Sequence, residues 1–157
     1  ILLYLAAKTG QFMPTDPRLQ IQVNEWLMWQ MGGLGPMAGQ NHHFNQYAPE
    51  IIPYAQKRYI NETGRLYGVL DRRLQGRDYI VGDYSIADMA CYPWVNSYER
   101  QSQDLNDFPN LKAWYERIKA RSATQTAYEK GEGLRNPQFS EAEKKLLFGQ
   151  DKDTAKQ

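Results

Sequence analysis

The hydrophobic positions of this chain recur every three to four residues, a period typical of α-helices. The clearest segment runs from 86 to 95, where the only charged residue is Asp88. Because a helix that is apolar on every side is buried on every side, we predict that it is the central helix of its domain. Ser85 precedes it as an N-cap, and Asp88 three positions later completes a capping box. We therefore assign Ser85 and Asp88 to folding and not to chemistry.

Other segments carry the same period with one apolar face each. Asp16 followed by Pro17 predicts the start of a helix. The run 32–36, with three glycines and a proline, predicts a helix that is broken or distorted and packs closely against a neighbour. Residues 49–75 form the longest periodic segment, with Ile52 on its apolar face.

Further helices are expected after Phe108, around 123–130 and after Ser140, where a second capping box stands. Residues 40–47 and 96–107 are polar and are predicted to be loops. Alternation with a period of two appears nowhere at strand length. The sequence therefore predicts an all-α fold, a helical bundle with a buried, N-capped central helix.

Composition excludes several classes of function. The 157 residues carry 19 Lys and Arg against 18 Asp and Glu, so a basic surface for nucleic acid is not expected. No apolar run approaches the roughly 20 residues that span a membrane. A single cysteine excludes an internal disulfide and fits a reducing compartment, so we expect a cytoplasmic protein.

The first ten residues read as the end of an apolar helix, closed by Gly10 as its C-cap glycine. A chain that opens inside a helix is expected to be a piece of a longer protein. We predict that residues 1–10 end a preceding domain and that 11–131 form a helical domain. An extension with a short helix follows at 132–148, and 149–157 form a disordered tail.

Two groups of motifs suggest a family. The capped run 85–88 (Ser-Ile-Ala-Asp) and the run 108–114 resemble the folding signature and the next helix of the C-terminal helical domain of cytosolic glutathione S-transferases. The runs 29–37 and 39–44, with their Gly-Gly-Leu-Gly-Pro and Gln-Asn-His-His-Phe segments, resemble the bacterial nu class, whose members reduce disulfides with glutathione. The resemblance extends to about Phe148.

This resemblance implies a role for the chain. Glutathione would be the co-substrate, without a metal. The other substrates would be glutathione disulfide, organic disulfides or electrophiles, and the protein would be a homodimer. The thiolate-stabilising residue would lie in a preceding thioredoxin-like domain, so no catalytic residue is expected in these 157 residues. They would supply the second wall of the active-site cleft and most of the dimer interface, and would be inactive alone. The competing hypothesis is a non-enzymatic helical module for binding, because the fold alone does not decide between the two.

The resemblance also implies site residues. Arg58 matches an arginine that reaches the glutathione carboxylates, and Glu25 stands where the family carries a polar residue that approaches glutathione. A guanidinium fork suits a carboxylate, but from the sequence alone Arg58 could equally be an exposed residue that pairs with Glu62. The residues expected to line the cleft are Trp29, Met37, His42, His43 and Phe44.

Two residue types invite other chemistry. His42 and His43 are adjacent, but their side chains diverge and no cysteine or acid stands at ligand spacing, so we expect no metal site. A hydrogen-bonded pair in a loop and a role at the mouth of the cleft both remain open for them. Cys91 lies inside the buried helix, where a thiol behaves as a small apolar residue.

Overall fold

The structure is a computed structural model that describes residues 1–134 and 139–149. Within these ranges the regular secondary structure is helical. The only β-type pairing in the described residues is two isolated β-bridges in the turn at 79–83. The helices are α1 (Leu2–Thr9), α2 (Pro17–Trp29), α3 (Gly35–Gln46), α4 (Pro53–Leu74), α5 (Ile86–Val95), α6 (Pro109–Lys119), α7 (Ser122–Glu132) and α8 (Glu141–Phe148). A π-helix at Gln30–Leu34 joins α2 to α3, and 3₁₀ turns at Glu99–Gln101 and Leu105–Asp107 lie between α5 and α6. The all-α prediction is confirmed.

The chain divides into two compact units, Ile1–Lys119 and a second that begins at Ala120. The second contains α7 and α8. Ser140 accepts a hydrogen bond from Glu143 N, and the Glu143 carboxylate accepts one from Ser140 N, so the predicted capping box is present. Of the tail predicted to be disordered, only Gly149 lies within the described residues. Among all described residues, no helix is long and apolar enough to cross a membrane.

Helix α5 lies at the centre of the first unit. It contacts α1, α2, α3, α6 and the π-helix, and most of its side chains are buried. The cap is formed as predicted, with Ser85 N donating to Asp88 Oδ2 at 3.0 Å. Asp88 itself is fully buried. The prediction of a buried, capped central helix is therefore confirmed.

Asp88 also joins elements that are distant along the sequence. Its Oδ1 accepts hydrogen bonds from Ile80 N at 3.0 Å and from Trp114 Nε1 at 2.8 Å. Burial raises the pKa of the Asp88 carboxyl, and the hydrogen bonds from Ile80, Trp114 and Ser85 oppose that rise because they favour the charged form. One carboxylate thus fixes the turn before α5, the start of α5 and the middle of α6.

The glycine-rich run forms a π-helix and not a break. Gly35 N donates to Gln30 O across five residues, and a Cβ added at Gly35 would lie 3.2 Å from Trp94 Cε2. Both the predicted distortion and the predicted close packing are confirmed. By contrast, a Cβ at Gly32 would meet no atom within 4 Å.

Two predictions about local structure are wrong. Residues 40–46 belong to α3 and not to a loop, because Asn41 is fully buried and donates to Thr63 Oγ1 and Gln101 O, both at 2.9 Å. These partners are distant in sequence, so the local polarity of the segment misleads. Ile52, expected on the apolar face of α4, is the N-cap residue of that helix and is 42% exposed.

Candidate functional site

The outer face of α4 carries an open groove of about 480 Å³, lined by Tyr54, Lys57, Arg58, Asn61, Glu62 and Arg65. Each of these positions lies three or four residues from another of the set, so together they form one stripe along the helix. Helix α4 presents this stripe outward because its opposite face buries Leu66, Leu70 and Leu74 in the core. Every lining residue comes from α4, so the described chain forms a single wall of the groove.

Arg58 lies in this groove without the partner that the sequence suggested. Glu62 instead accepts two hydrogen bonds from Arg65, from Nε and Nη2, each at 2.8 Å. The hydrogen bond from Arg65 lowers the pKa of Glu62, and the charges of Arg65 and Arg58 add to that effect, while burial opposes it. Arg58 forms no hydrogen bond or ion pair with any residue that the structure describes. Arg58 is thus exposed on a long helix, as the alternative drawn from the sequence alone expects, but it acts on Glu62 through its charge alone, while Arg65 holds the hydrogen bonds.

Two of the residues expected to line the cleft meet at the start of α4. The Phe44 ring stacks on the Tyr59 ring with centroids 5.4 Å apart, and His43 meets Phe44 edge-on at 5.3 Å. Gln56 Nε2 donates to Phe44 O at 3.1 Å, which holds the end of α3 against α4. Tyr59 directly follows Arg58, so this aromatic cluster flanks the groove.

The remaining candidates lie elsewhere on the molecule. Trp29 packs against Trp26 on α2, with ring centroids 5.0 Å apart. Met37 is half-buried on α3. Burial and the charge of Arg77 lower the pKa of Arg73, and the charge of the exposed Glu25 opposes that shift.

Glu25 and Arg58 are well separated. Glu25 lies close enough to Arg73 for its charge to act on that residue. Arg73 follows Arg58 by 15 residues on α4, which is about 22 Å along the helix axis. These two predicted contacts therefore cannot hold the same glutathione carboxylate.

His42 packs on Tyr47, with ring centroids 5.4 Å apart. Burial and the nearby charge of Arg100 lower the pKa of His42. In the described part of the chain, no three His, Cys, Asp or Glu side chains are grouped as a metal site would require. His42 thus packs on an aromatic ring, and both burial and the charge of Arg100 favour its neutral form.

Cys91 is fully buried, and burial raises the pKa of its thiol far above the ordinary value. A protonated, enclosed thiol cannot attack a disulfide. This matches the expectation that Cys91 is a packing residue.

Most residues of the groove were not predicted from the sequence. Tyr54, Lys57, Asn61 and Arg65 were not singled out, although they share a face with Arg58. The available signal was the regular spacing of polar residues on the outer side of a long helix, which is also typical of an ordinary solvated face.

Comparison with known proteins agrees with this fold. The family model for the glutathione S-transferase C-terminal domain matches residues 54–122. The chain is 54% identical over 133 residues to "Disulfide-bond oxidoreductase YfcG" of Escherichia coli, a match covering 84% of this chain and 62% of that protein.

Solved structures give the same result. A Burkholderia graminis glutathione transferase "with two glutathione molecules bound per one protein subunit" matches with a TM-score of 0.76 and 39% identity over 83% of this chain and 58% of its own. A Pseudomonas putida glutathione transferase with "one glutathione disulfide bound per one protein subunit" matches with a TM-score of 0.74 and 39% identity, over 87% of this chain and 60% of its own.

The chain spans about three fifths of the length of these relatives. The helical architecture, the capped central helix and the similarity to a disulfide-bond oxidoreductase agree with one another. Residues 54–122 thus belong to the C-terminal helical domain of the glutathione S-transferase family, and the chain as a whole is similar to glutathione transferases of known structure.

Proposed function

We propose that this chain forms one wall of the active-site cleft of an enzyme that reduces disulfides with glutathione. The observation that carries the proposal is the unpaired guanidinium of Arg58 in the groove on α4, since Glu62 is taken by Arg65. A guanidinium suits a carboxylate, and glutathione carries two. The relatives that bind glutathione or glutathione disulfide support this ligand.

The chemistry requires no thiol from this chain. A glutathione thiolate attacks one sulfur of the substrate disulfide, the S–S bond breaks, and the other sulfur leaves as a thiolate that takes up a proton. A second glutathione thiolate attacks the mixed disulfide and releases the second thiol. Two glutathiones are oxidised to glutathione disulfide while the substrate is reduced to two thiols. Cys91, buried and protonated, takes no part.

The site residues have different roles in this proposal. Arg58 binds a carboxylate of glutathione, and His43 and Phe44 form the edge of the cleft beside it. Glu25 carries the wrong charge for a carboxylate, so any glutathione contact it makes is to the ammonium group. Trp29 and Met37 stay candidates for an acceptor pocket, and His42 stays a candidate for the mouth of the cleft. The residue that activates the thiolate is expected outside these 157 residues, so the chain alone is expected to be inactive.

We also propose a homodimer in the cytoplasm. Ile21 and Met28 lie seven residues apart on α2 and are each 60% exposed, and Met31 beside them is 64% exposed. Exposed apolar patches of this kind often mark an interface. A second copy of the protein would cover these side chains, and light scattering of the full-length protein tests this directly.

The enzymatic proposal is tested with the full-length protein, glutathione and 2-hydroxyethyl disulfide, following glutathione disulfide as it forms. We expect turnover, and we expect Arg58→Gln to raise the KM for glutathione by about tenfold through loss of a charge-assisted contact. The matched control is Arg72→Gln, the same change on the same helix about 21 Å away. No turnover by the wild type, or equal effects of the two variants, would overturn the proposal. The non-enzymatic alternative would then lead.

A further inference from the structure

The groove on α4 contains two rows of side chains. One row runs through Lys57, Asn61 and Arg65, and the other through Tyr54, Arg58 and Glu62. Neighbouring residues project about 100° apart around a helix, so Lys57 and Arg58 extend toward different sides of the groove. Each can therefore contact a separate group.

Charge is unevenly distributed along these rows. At one end, Arg65 and Glu62 neutralise each other through two hydrogen bonds of 2.8 Å. At the other end, Lys57 and Arg58 stand side by side, and neither forms a hydrogen bond or ion pair with any residue that the structure describes. Tyr54, beside them, is 77% exposed. This end of the groove therefore carries two positive charges next to an aromatic ring, and neither has a hydrogen-bonded or ion-paired partner among the described residues.

We infer that Lys57 makes the cleft selective for disulfides that carry a carboxylate on the acceptor side. This inference rests on the proposed function, in which Arg58 binds glutathione. With Arg58 bound to glutathione, the ammonium group of Lys57, about 100° away around the helix and without a partner among the described residues, is free to contact the second reactant. A carboxylate there gains an ion pair, an alcohol gains little, and an ammonium group is repelled. The preferred substrate class is the anionic disulfide, including mixed disulfides of acidic thiols.

The reaction itself is unchanged by this selectivity. The glutathione thiolate attacks the acceptor disulfide, one S–S bond forms as another breaks, and the leaving thiolate is protonated. Lys57 contributes only to how well the acceptor binds near that thiolate. Its effect therefore belongs in kcat/KM for the disulfide, and it decreases as salt screens the charge.

The experiment compares three disulfides with the full-length protein and saturating glutathione: the dicarboxylate dithiodipropionate, the neutral 2-hydroxyethyl disulfide and the diammonium cystamine. Intrinsic reactivity differs among them, so the readout is the change in their kcat/KM ratios between variants. We expect Lys57→Gln to lower the dicarboxylate-to-diammonium ratio by about fivefold, the effect expected of an exposed charge on two substrates. Lys57→Glu should lower it further, and roughly 0.5 M salt should reduce both changes.

Arg72→Gln again serves as the control, since it removes one exposed positive charge from α4 outside the groove. It should leave all three ratios unchanged. If both Lys57 variants keep the wild-type ratios while glutathione-dependent turnover is present, this inference is overturned and the proposed function stands. If the wild type reduces none of the three disulfides, the proposed function fails, and this inference fails with it.

Discussion

The carboxylate of Asp88 and the guanidinium of Arg58 illustrate two opposite uses of charge in one helical unit. Asp88 is fully buried and accepts hydrogen bonds from Ile80, Ser85 and Trp114. Arg58 is exposed, and its guanidinium forms no hydrogen bond or ion pair with any described residue. A buried charge that is fully hydrogen-bonded specifies a fold, whereas an exposed, unpaired charge is available to a ligand. The two residues should therefore respond to mutation in opposite ways.

The largest effect is expected at the buried carboxylate. Asp88→Ala would leave the donors of Ile80, Ser85 and Trp114 buried without a partner, so we expect a loss of about 3–5 kcal/mol in the free energy of unfolding. Urea unfolding of the wild type and the variant measures this. Asp83→Ala is the control, because Asp83 is exposed beside the same cap. Equal stability of the two variants would show that the Asp88 network does not specify the fold.

A second pair of variants tests the close packing of the π-helix. At Gly35 an added Cβ would lie 2.6 Å from Gln30 Nε2 and 3.2 Å from Trp94 Cε2, so Gly35→Ala should cost about 1–3 kcal/mol. At Gly32 the space is open, and alanine there should stabilise the helix by up to about 1 kcal/mol. Thermal unfolding of both variants tests the prediction, which fails if the two shifts in Tm have the same sign.

The pH dependence of His42 should be smaller. Burial and the charge of Arg100 hold its pKa below 6.5, so protonation is easier in the unfolded chain. The contribution of neutral His42 to the free energy of unfolding is therefore fully present above pH 6.5, the ordinary pKa of histidine. It is lost as the pH falls from 6.5 toward the lowered pKa of the folded state. Tm values between pH 8 and pH 5 should fall more for the wild type than for His42→Gln. Parallel curves for the two proteins would contradict this prediction.

The smallest effect on stability is expected in the groove. Because Lys57 and Arg58 are exposed and pair with none of the described residues, Arg58→Gln and Lys57→Gln should each change the free energy of unfolding by less than about 0.5 kcal/mol. Urea unfolding of the same protein preparations used for kinetics provides the check. A large loss of stability would mean that these residues support the fold, and their kinetic effects could no longer be assigned to ligand contact.

Much of the fold was predictable because its signals are local. The capping residues Ser85 and Asp88 lie within four positions of each other, and Asp16 with Pro17 starts α2 as expected. For the Gly-rich run the sequence predicted close packing correctly but left open a broken or a distorted helix, and the structure shows the distorted one. Where the stabilising contacts are distant, as for the buried Asn41 in α3, the polarity of the local sequence predicted a loop and was wrong.

The sequence by itself determined the helical period, the capped central helix and the family resemblance, since each depends on residue types at short spacing. Only the tertiary structure decided which charges are available. Glu62 has an arginine on either side, at positions 58 and 65, and either could pair with it. In the structure the guanidinium of Arg65 donates two hydrogen bonds to Glu62. Arg58 and Lys57 stay exposed, without a hydrogen bond or ion pair to any described residue. Side-chain pairing on a helix surface depends on small differences in rotamer and solvation, which spacing alone does not resolve.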